Sequence, residues 1–550
     1  MKITRLKITR RDALALGLGA VPVGHAADAL AAGAGAGTTA ASGRDPAWRR
    51  DAEGRRRAEL GDGRYLNPVL AGDRPDPTIL QDGGDYYATF SSFDATPGLV
   101  IWHSRDLVNW VPLGPALEKP LGTVFAPDLI KHGNRYTLYI PFIPAPWSQH
   151  LPDTPSIHVI HAEDIRGPWS QPVDLGIRGY IDPGHVVGED GRRYLFLSGV
   201  ARVRLSEDGL ATDGAIEHVY DGWQYPDDWI TEAYALEGPK LFRRGGWFYL
   251  ISAVGGTAGP ATGHMVIAAR SRSVHGPWEN CPHNPIVRTR SVEERWWSRG
   301  HATLVEGPGG GYWLLYHGYE NGYRSLGRQL LLEPVEWTAD GWFRARGGDL
   351  SRPLPMPAAV PNSSAMPAWS DDFSAAAFGT RWNFFAASPA EHQRAVFGDG
   401  SLRLRCKGTD PSNCSPLVGM SGDHAYECSV ALELEGAAQG ALLLFFNQRL
   451  YLGMGFDGER MSTYLGGTRS FWQEPAPRSR ALHLRIVNER QVVTFYYSID
   501  GRQWVRHGVR SEVSGYHANT VADLQSLRPA LCAIGAGTVR FRNYRYQGLA

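Results

Sequence analysis

The sequence predicts an all-β chain, a five-bladed β-propeller followed by a β-sandwich, and three observations lead there. Short β-rich runs separated by turns fill about residues 66–346, with hardly any apolar stripe of helical period. Within them one pattern recurs five times: a polar residue, an apolar run, a Gly-rich turn and an aromatic strand, beginning at Asp76, Asp128, Asp182, Glu237 and His301. These starts lie 52 to 64 residues apart, the length of a four-stranded blade rather than of a helical repeat. Beyond a Pro-rich stretch, alternating strands resume in a second region.

Taken in order, residues 1–40 read as an export leader. Lys2, Arg5, Lys7, Arg10 and Arg11 precede the apolar run Ala13 to Val23, and Ala/Gly-rich sequence follows. Thr9-Arg10-Arg11-Asp12-Ala13-Leu14 is similar to a twin-arginine signal, with Ala13 where a large apolar residue is usual. The apolar run is about half the ~20 residues that span a bilayer, so the mature chain is expected to be exported, periplasmic or secreted, with no membrane partner. Residues 41–65 form an N-terminal extension, and 66–347 the propeller. A second echo supports the blades: Trp110, Trp169 and Trp278 each close a similar motif after an expected strand. Residues 348–368 are a Pro-rich linker, and 369–550 carry strands such as 401–405, 441–446, 482–487 and 492–497 that suit two packed sheets.

Lys and Arg total 56, as do Asp and Glu, so the formal net charge is zero. That balance gives no electrostatic footprint for nucleic acid, and a neutral ligand fits better. The five cysteines, Cys281, Cys406, Cys414, Cys428 and Cys532, lack metal-site spacing. Cys406 and Cys414 are near enough in sequence to pair, but folding in a reducing cytoplasm before export argues against dependence on a disulfide.

Five blades around one axis bring five strand ends into one mouth, and such a mouth can hold a pair of carboxyl groups. Glycosidic bonds are cleaved by such a pair, one protonated to release the leaving oxygen and one ionised to activate water or attack carbon. Asp76 in Arg74-Pro75-Asp76-Pro77 and Glu237 in Leu236-Glu237-Gly238-Pro239 are the leading candidates, because each heads the apolar run of its repeat. An Asp before Pro or Gly is also a common turn former, so either one alone carries little.

From about 66 to 345 the ordered set Arg-Pro-Asp76-Pro, Ala126-Pro-Asp128-Leu, Ile181-Asp182-Pro, Glu237-Gly-Pro, Gly300-His301-Ala and Gly327-Arg328-Gln resembles glycoside hydrolase family 43 of the β-xylosidase and α-L-arabinofuranosidase type. The resemblance implies a five-bladed propeller, inversion at the anomeric carbon, Asp76 as general base, Glu237 as general acid and Asp182 as the group that orients the acid and raises its pKa. It also puts Arg328 at the sugar pocket. Inversion requires the two carboxyls to stand about 6.5–9.5 Å apart, leaving room for a water. Trp102, Phe125 and Trp296 lie near strand ends and are expected to offer apolar faces to a sugar, although propeller blades also pack with aromatics. Phe125 replaces the Trp that often precedes Ala-Pro-Asp in relatives. Asp128 either braces the blades or meets sugar hydroxyls. His301 is expected at the centre, holding a water or, as in the family, a calcium ion, or else satisfying a core hydrogen bond; no cofactor is required.

Trp369-Ser-Asp-Asp-Phe373 and the length of the second region resemble the concanavalin-A-like sandwich found behind exo-acting members, where a sandwich loop closes one side of the mouth. The expected substrate is an oligosaccharide ending in β-D-xylose or α-L-arabinofuranose. Endo-acting arabinan or xylan hydrolysis and sugar binding without cleavage remain alternatives. The retaining fructan-hydrolysing group fits less well, because its Asn-Asp-Pro-Asn nucleophile motif is absent and Glu237 is followed by Gly rather than Cys.

Overall fold

The computed structural model describes residues 48–550 apart from 146, 148–152 and 359–365. The proposed export leader lies outside the described residues. Each blade is built on a meander of four antiparallel strands, and the second and fourth blades add a short fifth strand. The first contains Thr78–Asp82, Asp85–Thr89, Gly98–Ser104 and Val111–Leu117. The inner strands of the other four are Asp128–His132, Gly184–Val187, Ala233–Arg244 and Trp296–Glu306. Each inner strand sits beside those of two neighbouring blades, so the five close into a ring. Local sequence explains the hairpins. In the fourth blade Arg244 pairs with Trp247 across Gly245 and Gly246, whose φ values of 58° and 74° suit a two-residue turn that side chains with a Cβ resist.

Polar residues at the repeat starts hold neighbouring blades together. The Asp128 carboxylate accepts from Thr78 Oγ1 at 3.3 Å in blade one, from the His185 N–H at 2.7 Å in blade three and from Lys240 Nζ at 2.7 Å in blade four. Thr303 Oγ1 donates to the Pro77 carbonyl at 2.9 Å, linking blade five to blade one. The segment before the first blade seals the ring: the Val69 N–H donates to the Leu330 carbonyl, and the Asn67 side chain both accepts from and donates to the backbone of Leu332.

The sandwich is built on two long strands, Ala425–Asn447 and Arg528–Gly548, paired from Tyr426 opposite Gly548 to Phe445 opposite Arg528. The strand Ala481–Glu489 buries Leu482, Leu484 and Ile486 and turns the residues between them outward, the alternation expected of a one-sided sheet. Its sheet also recruits Ala95–Thr96, an excursion of the first blade, which pairs with Asn383–Phe385. The two regions therefore share a β-ladder, and a single apolar core runs from Leu330 and Val305 of the propeller to Leu442 and Phe541 of the sandwich. Arg56 adds a buried clamp, donating to Glu320 at 2.9 Å, Gln329 at 3.0 Å and the Gly422 carbonyl at 2.9 Å. Among the described residues the only α-helix is the single turn Ala518–Val521. All five cysteines are free thiols, so the Cys406–Cys414 bond that their spacing allowed is not formed.

Candidate active site

The inner strand ends converge on one pocket. Asp76, Asp182, Glu237, His301, Arg328 and Phe125 line it together, and the sandwich supplies Ala518, Ala522, Asp523 and Leu524 to the opposite wall. The second region thus closes part of the mouth. Asn447 Nδ2 donates to Asp523 at 2.7 Å within the sandwich, and the Leu527 N–H donates to the Ser325 carbonyl at 2.8 Å, which ties that wall to the propeller.

Asp76 and Asp182 sit at φ 56° and 54°, in the left-handed region. Such backbone is held only where the surroundings determine it, and it turns both carboxyls inward at the strand ends. Asp76 accepts from Arg328 Nη1 at 2.9 Å and from Ser91 Oγ at 2.6 Å. Burial, the largest single influence, works against its charge, but the Arg328 guanidinium together with the contacts of His301 and His317 outweighs it and holds the carboxyl well below the usual carboxylate range. The Asp76 N–H donates to His317 Nδ1 at 3.0 Å, so that nitrogen is an acceptor and the proton lies on Nε2, 3.1 Å from Thr257 Oγ1. His317 is therefore neutral, consistent with burial pushing its pKa down to about 4.

The opposite wall behaves differently. Burial, reinforced by the charges of Asp182, Asp76 and Glu232, drives Glu237 well above the ordinary glutamate value. Burial and then the Asp76 charge raise Asp182 to about 7. The Gly238 N–H donates to Asp182 Oδ2 at 3.0 Å, a bond that favours the ionised form of Asp182 and leaves the shared proton on Glu237. Gly238 has φ 61°, and a Cβ there would meet the His301 ring at 2.9–3.0 Å. Only glycine lets the acid-bearing strand approach His301 this closely.

The remaining expected site residues separate. Phe125, His301 and Arg328 reach the pocket; Trp102, Asp128 and Trp296 do not line it. Trp102 is buried beneath the Arg74 guanidinium, 4.7 Å from its ring centroid, within the shared core. Trp296 is buried between the last two blades with Nε1 donating to the Leu350 carbonyl at 3.3 Å. Asp128 is consumed by its three interblade bonds, and so serves as a brace.

At the centre the protein itself supplies few of the oxygens that calcium takes. Calcium takes six to eight oxygen ligands. His301 presents nitrogens, and Asp76 is already paired with Arg328. The nearby Pro127 and Pro183 carbonyls and the Asp128 carboxylate, oxygens of the kind calcium would use, surround Lys240 Nζ at 3.0, 3.0 and 2.7 Å. The cation in that cradle is this chain's own ammonium.

Sequence reasoning missed Thr257, His317, Glu232 and Asp523. The first two sit on the loop after the second strand of blade four and on the second strand of blade five, off the repeat position that flagged the others. Asp523 belongs to the other region, and Glu232 lies one residue before the inner strand of blade four.

The pattern of glycosyl hydrolases family 43 matches residues 65–343. The chain belongs to that family. It is 33% identical over 320 residues to a xylan 1,3-beta-xylosidase from a Vibrio species, a match covering 51% of this chain and 57% of that protein. It is 30% identical over 365 residues to a non-reducing end alpha-L-arabinofuranosidase of Bacteroides ovatus, covering 62% and 65% of the two chains. The chain thus spans somewhat over half the length of these curated relatives. A crystal structure of a GH43 protein from Bacillus licheniformis superposes with a TM-score of 0.78 at 27% identity, over 88% of this chain and all of that one.

Proposed function

We propose that this family 43 member is an exported, inverting exo-glycosidase that releases terminal β-D-xylose or α-L-arabinofuranose from plant cell-wall oligosaccharides. The observation that carries the reading is the division of the pocket into a carboxyl held ionised and a carboxyl held protonated. Asp76, paired with Arg328, acts as general base and draws a proton from a water as that water attacks the anomeric carbon. Glu237 acts as general acid and delivers its proton to the leaving oxygen. Asp182 orients the acid-bearing strand through Gly238 and opposes loss of the Glu237 proton. Arg328 Nη2 is buried without a protein partner, which leaves a donor for a sugar hydroxyl.

The sandwich wall favours a pocket for a chain end over an open cleft, and the activities of the Vibrio and Bacteroides relatives favour a pentose. Export rests on the twin-arginine-like leader. The test is hydrolysis of p-nitrophenyl β-D-xyloside and α-L-arabinofuranoside by wild type and Glu237→Gln, with proton NMR of the first-formed sugar. Sugar binding without turnover of any pentoside would refute the assignment, and initial retention of configuration would remove Asp76 from the role of base.

A further inference from the structure

Glu232 is a fourth propeller carboxylate on the pocket wall, five residues before the acid. Its side chain is seated on the turn that carries Thr257. Oε2 accepts from the Ala258 N–H at 2.8 Å, and the Glu232 N–H donates to the Gly255 carbonyl at 2.9 Å. Two glycines make room for it. A Cβ on Gly256 would meet Oε2 at 2.5 Å, and a Cβ on Gly259 would meet the Glu232 Cβ at 2.5 Å. The other oxygen, Oε1, is buried and has no hydrogen-bond partner in the protein.

A buried carboxylate oxygen without a donor is costly unless a ligand, a water or a proton satisfies it. No side chain around it donates to it: Glu237 carries like charge when ionised, and the Arg328 and Arg324 guanidiniums act on Glu232 through space without a hydrogen bond, Arg328 being bonded to Asp76 through Nη1. We propose that Glu232 is a substrate-binding residue whose Oε1 accepts a hydrogen bond from a hydroxyl of the bound sugar, while Oε2 keeps the Thr257 turn in place. The proposal rests on the glycosidase reading of the pocket and extends it, because it assigns a sugar contact to a residue outside the acid–base set. Burial raises the Glu232 pKa, so in the empty pocket the group also tolerates a proton, which a donating hydroxyl would render unnecessary.

The test uses the full chain and two variants, Glu232→Gln and Glu232→Asp. Gln retains size and can still accept from Ala258 N–H, but then turns an amide NH2 toward the sugar. Asp keeps the charge and withdraws the oxygens by one methylene. Titration with free D-xylose and L-arabinose, followed by tryptophan fluorescence, reads binding independently of turnover. The p-nitrophenyl glycoside that wild type cleaves fastest reads KM and kcat. Sugar Kd and KM should rise about tenfold or more in both variants, the loss expected for a hydrogen bond to a charged acceptor, with a smaller change in kcat. In Glu232→Gln the basic limb of the kcat/KM profile should also move to lower pH, because one negative charge beside Glu237 is gone, whereas Glu232→Asp keeps that charge and should lose sugar affinity with the limb in place. Sugar Kd and KM within about twofold of wild type in either variant would overturn the proposal. Wild type that binds and cleaves only other sugars would sink the pentose assignment, and the Glu232 ratio would then be read on the sugar it accepts.

Discussion

Replacing Asp182 by Asn isolates the electrostatic part of the mechanism. The amide oxygen of Asn can still accept the Gly238 N–H now held at 3.0 Å, so the backbone that carries Glu237 keeps its anchor while a charge disappears. Two carboxyls about 6 Å apart at an effective dielectric near 20 repel by about 3 kcal/mol, equivalent to about two pKa units. Glu237 must be protonated to serve as acid, so activity is present below its pKa and lost as pH rises through it. Asp182 is among the charges that raise that pKa, after burial. Without it, the basic limb of kcat/KM should fall by about one to two pH units, and at pH 7 the rate should drop about 10- to 100-fold while a lower pH recovers part of it. Stopped assays with p-nitrophenyl β-D-xyloside from pH 4 to pH 9 read the limb directly. A basic limb that stays in place or moves upward would show that the Asp182 charge does not set the proton on Glu237.

Asp76→Asn removes the base while its Arg328 and Ser91 partners remain, and kcat/KM should fall about 10²- to 10⁴-fold with little change in KM; near-wild-type turnover would exclude the role. Gly238→Ala forces a Cβ toward the His301 ring at a positive φ, so unfolding free energy should drop about 1–3 kcal/mol and kcat should fall with it, checked by urea denaturation alongside kinetics; a stable, fully active variant would mean the strand can retreat. Lys240→Met leaves the buried Asp128 charge without its cation and should cost about 3–5 kcal/mol in the same unfolding experiment. Added calcium should not restore the loss, and restoration would show that the cradle accepts a metal after all.

The five repeats were legible because each polar start lies in or within two residues of an inner strand of its blade, so that the repeat brings Asp76, Asp182 and Glu237 to one mouth. Of the three aromatic expectations, Phe125 reaches the pocket and the two tryptophans do not, for a related reason. Proximity to a strand end does not fix which way a ring points, and Trp102 and Trp296 both turn into packed blade interfaces. Asp128 shows the same ambiguity among carboxylates: its position matches the catalytic pattern, but donors from three blades occupy it. Glu232 and Asp523 carried no repeat signal, since one is brought to the pocket by a loop and the other by the second region. Nor could the sequence show that Ala95–Thr96 leaves the first blade to join the sandwich sheet, because a two-residue ladder has no periodicity to read.

The distribution of charge in the pocket explains how one cavity sustains opposite protonation states. Asp76, Asp182, Glu232, Glu237 and, from the sandwich, Asp523 line it, against Arg328 as the one Arg or Lys among the described lining residues. That guanidinium is committed to Asp76. The carboxyl nearest the cation stays ionised, and the rest of the negative charge accumulates around Glu237, where it opposes deprotonation. Asp523 follows the second pattern, with burial raising it to about 6. The same surplus disfavours a sugar that bears its own carboxylate, since its charge would meet five carboxyl groups against one guanidinium that already carries Asp76. A neutral sugar adds no charge and can donate hydroxyl protons to the carboxylate oxygens. On the proposed reading, preference for a neutral sugar and retention of the acid's proton arise from one arrangement, and substitutions that neutralise the wall should relax both together.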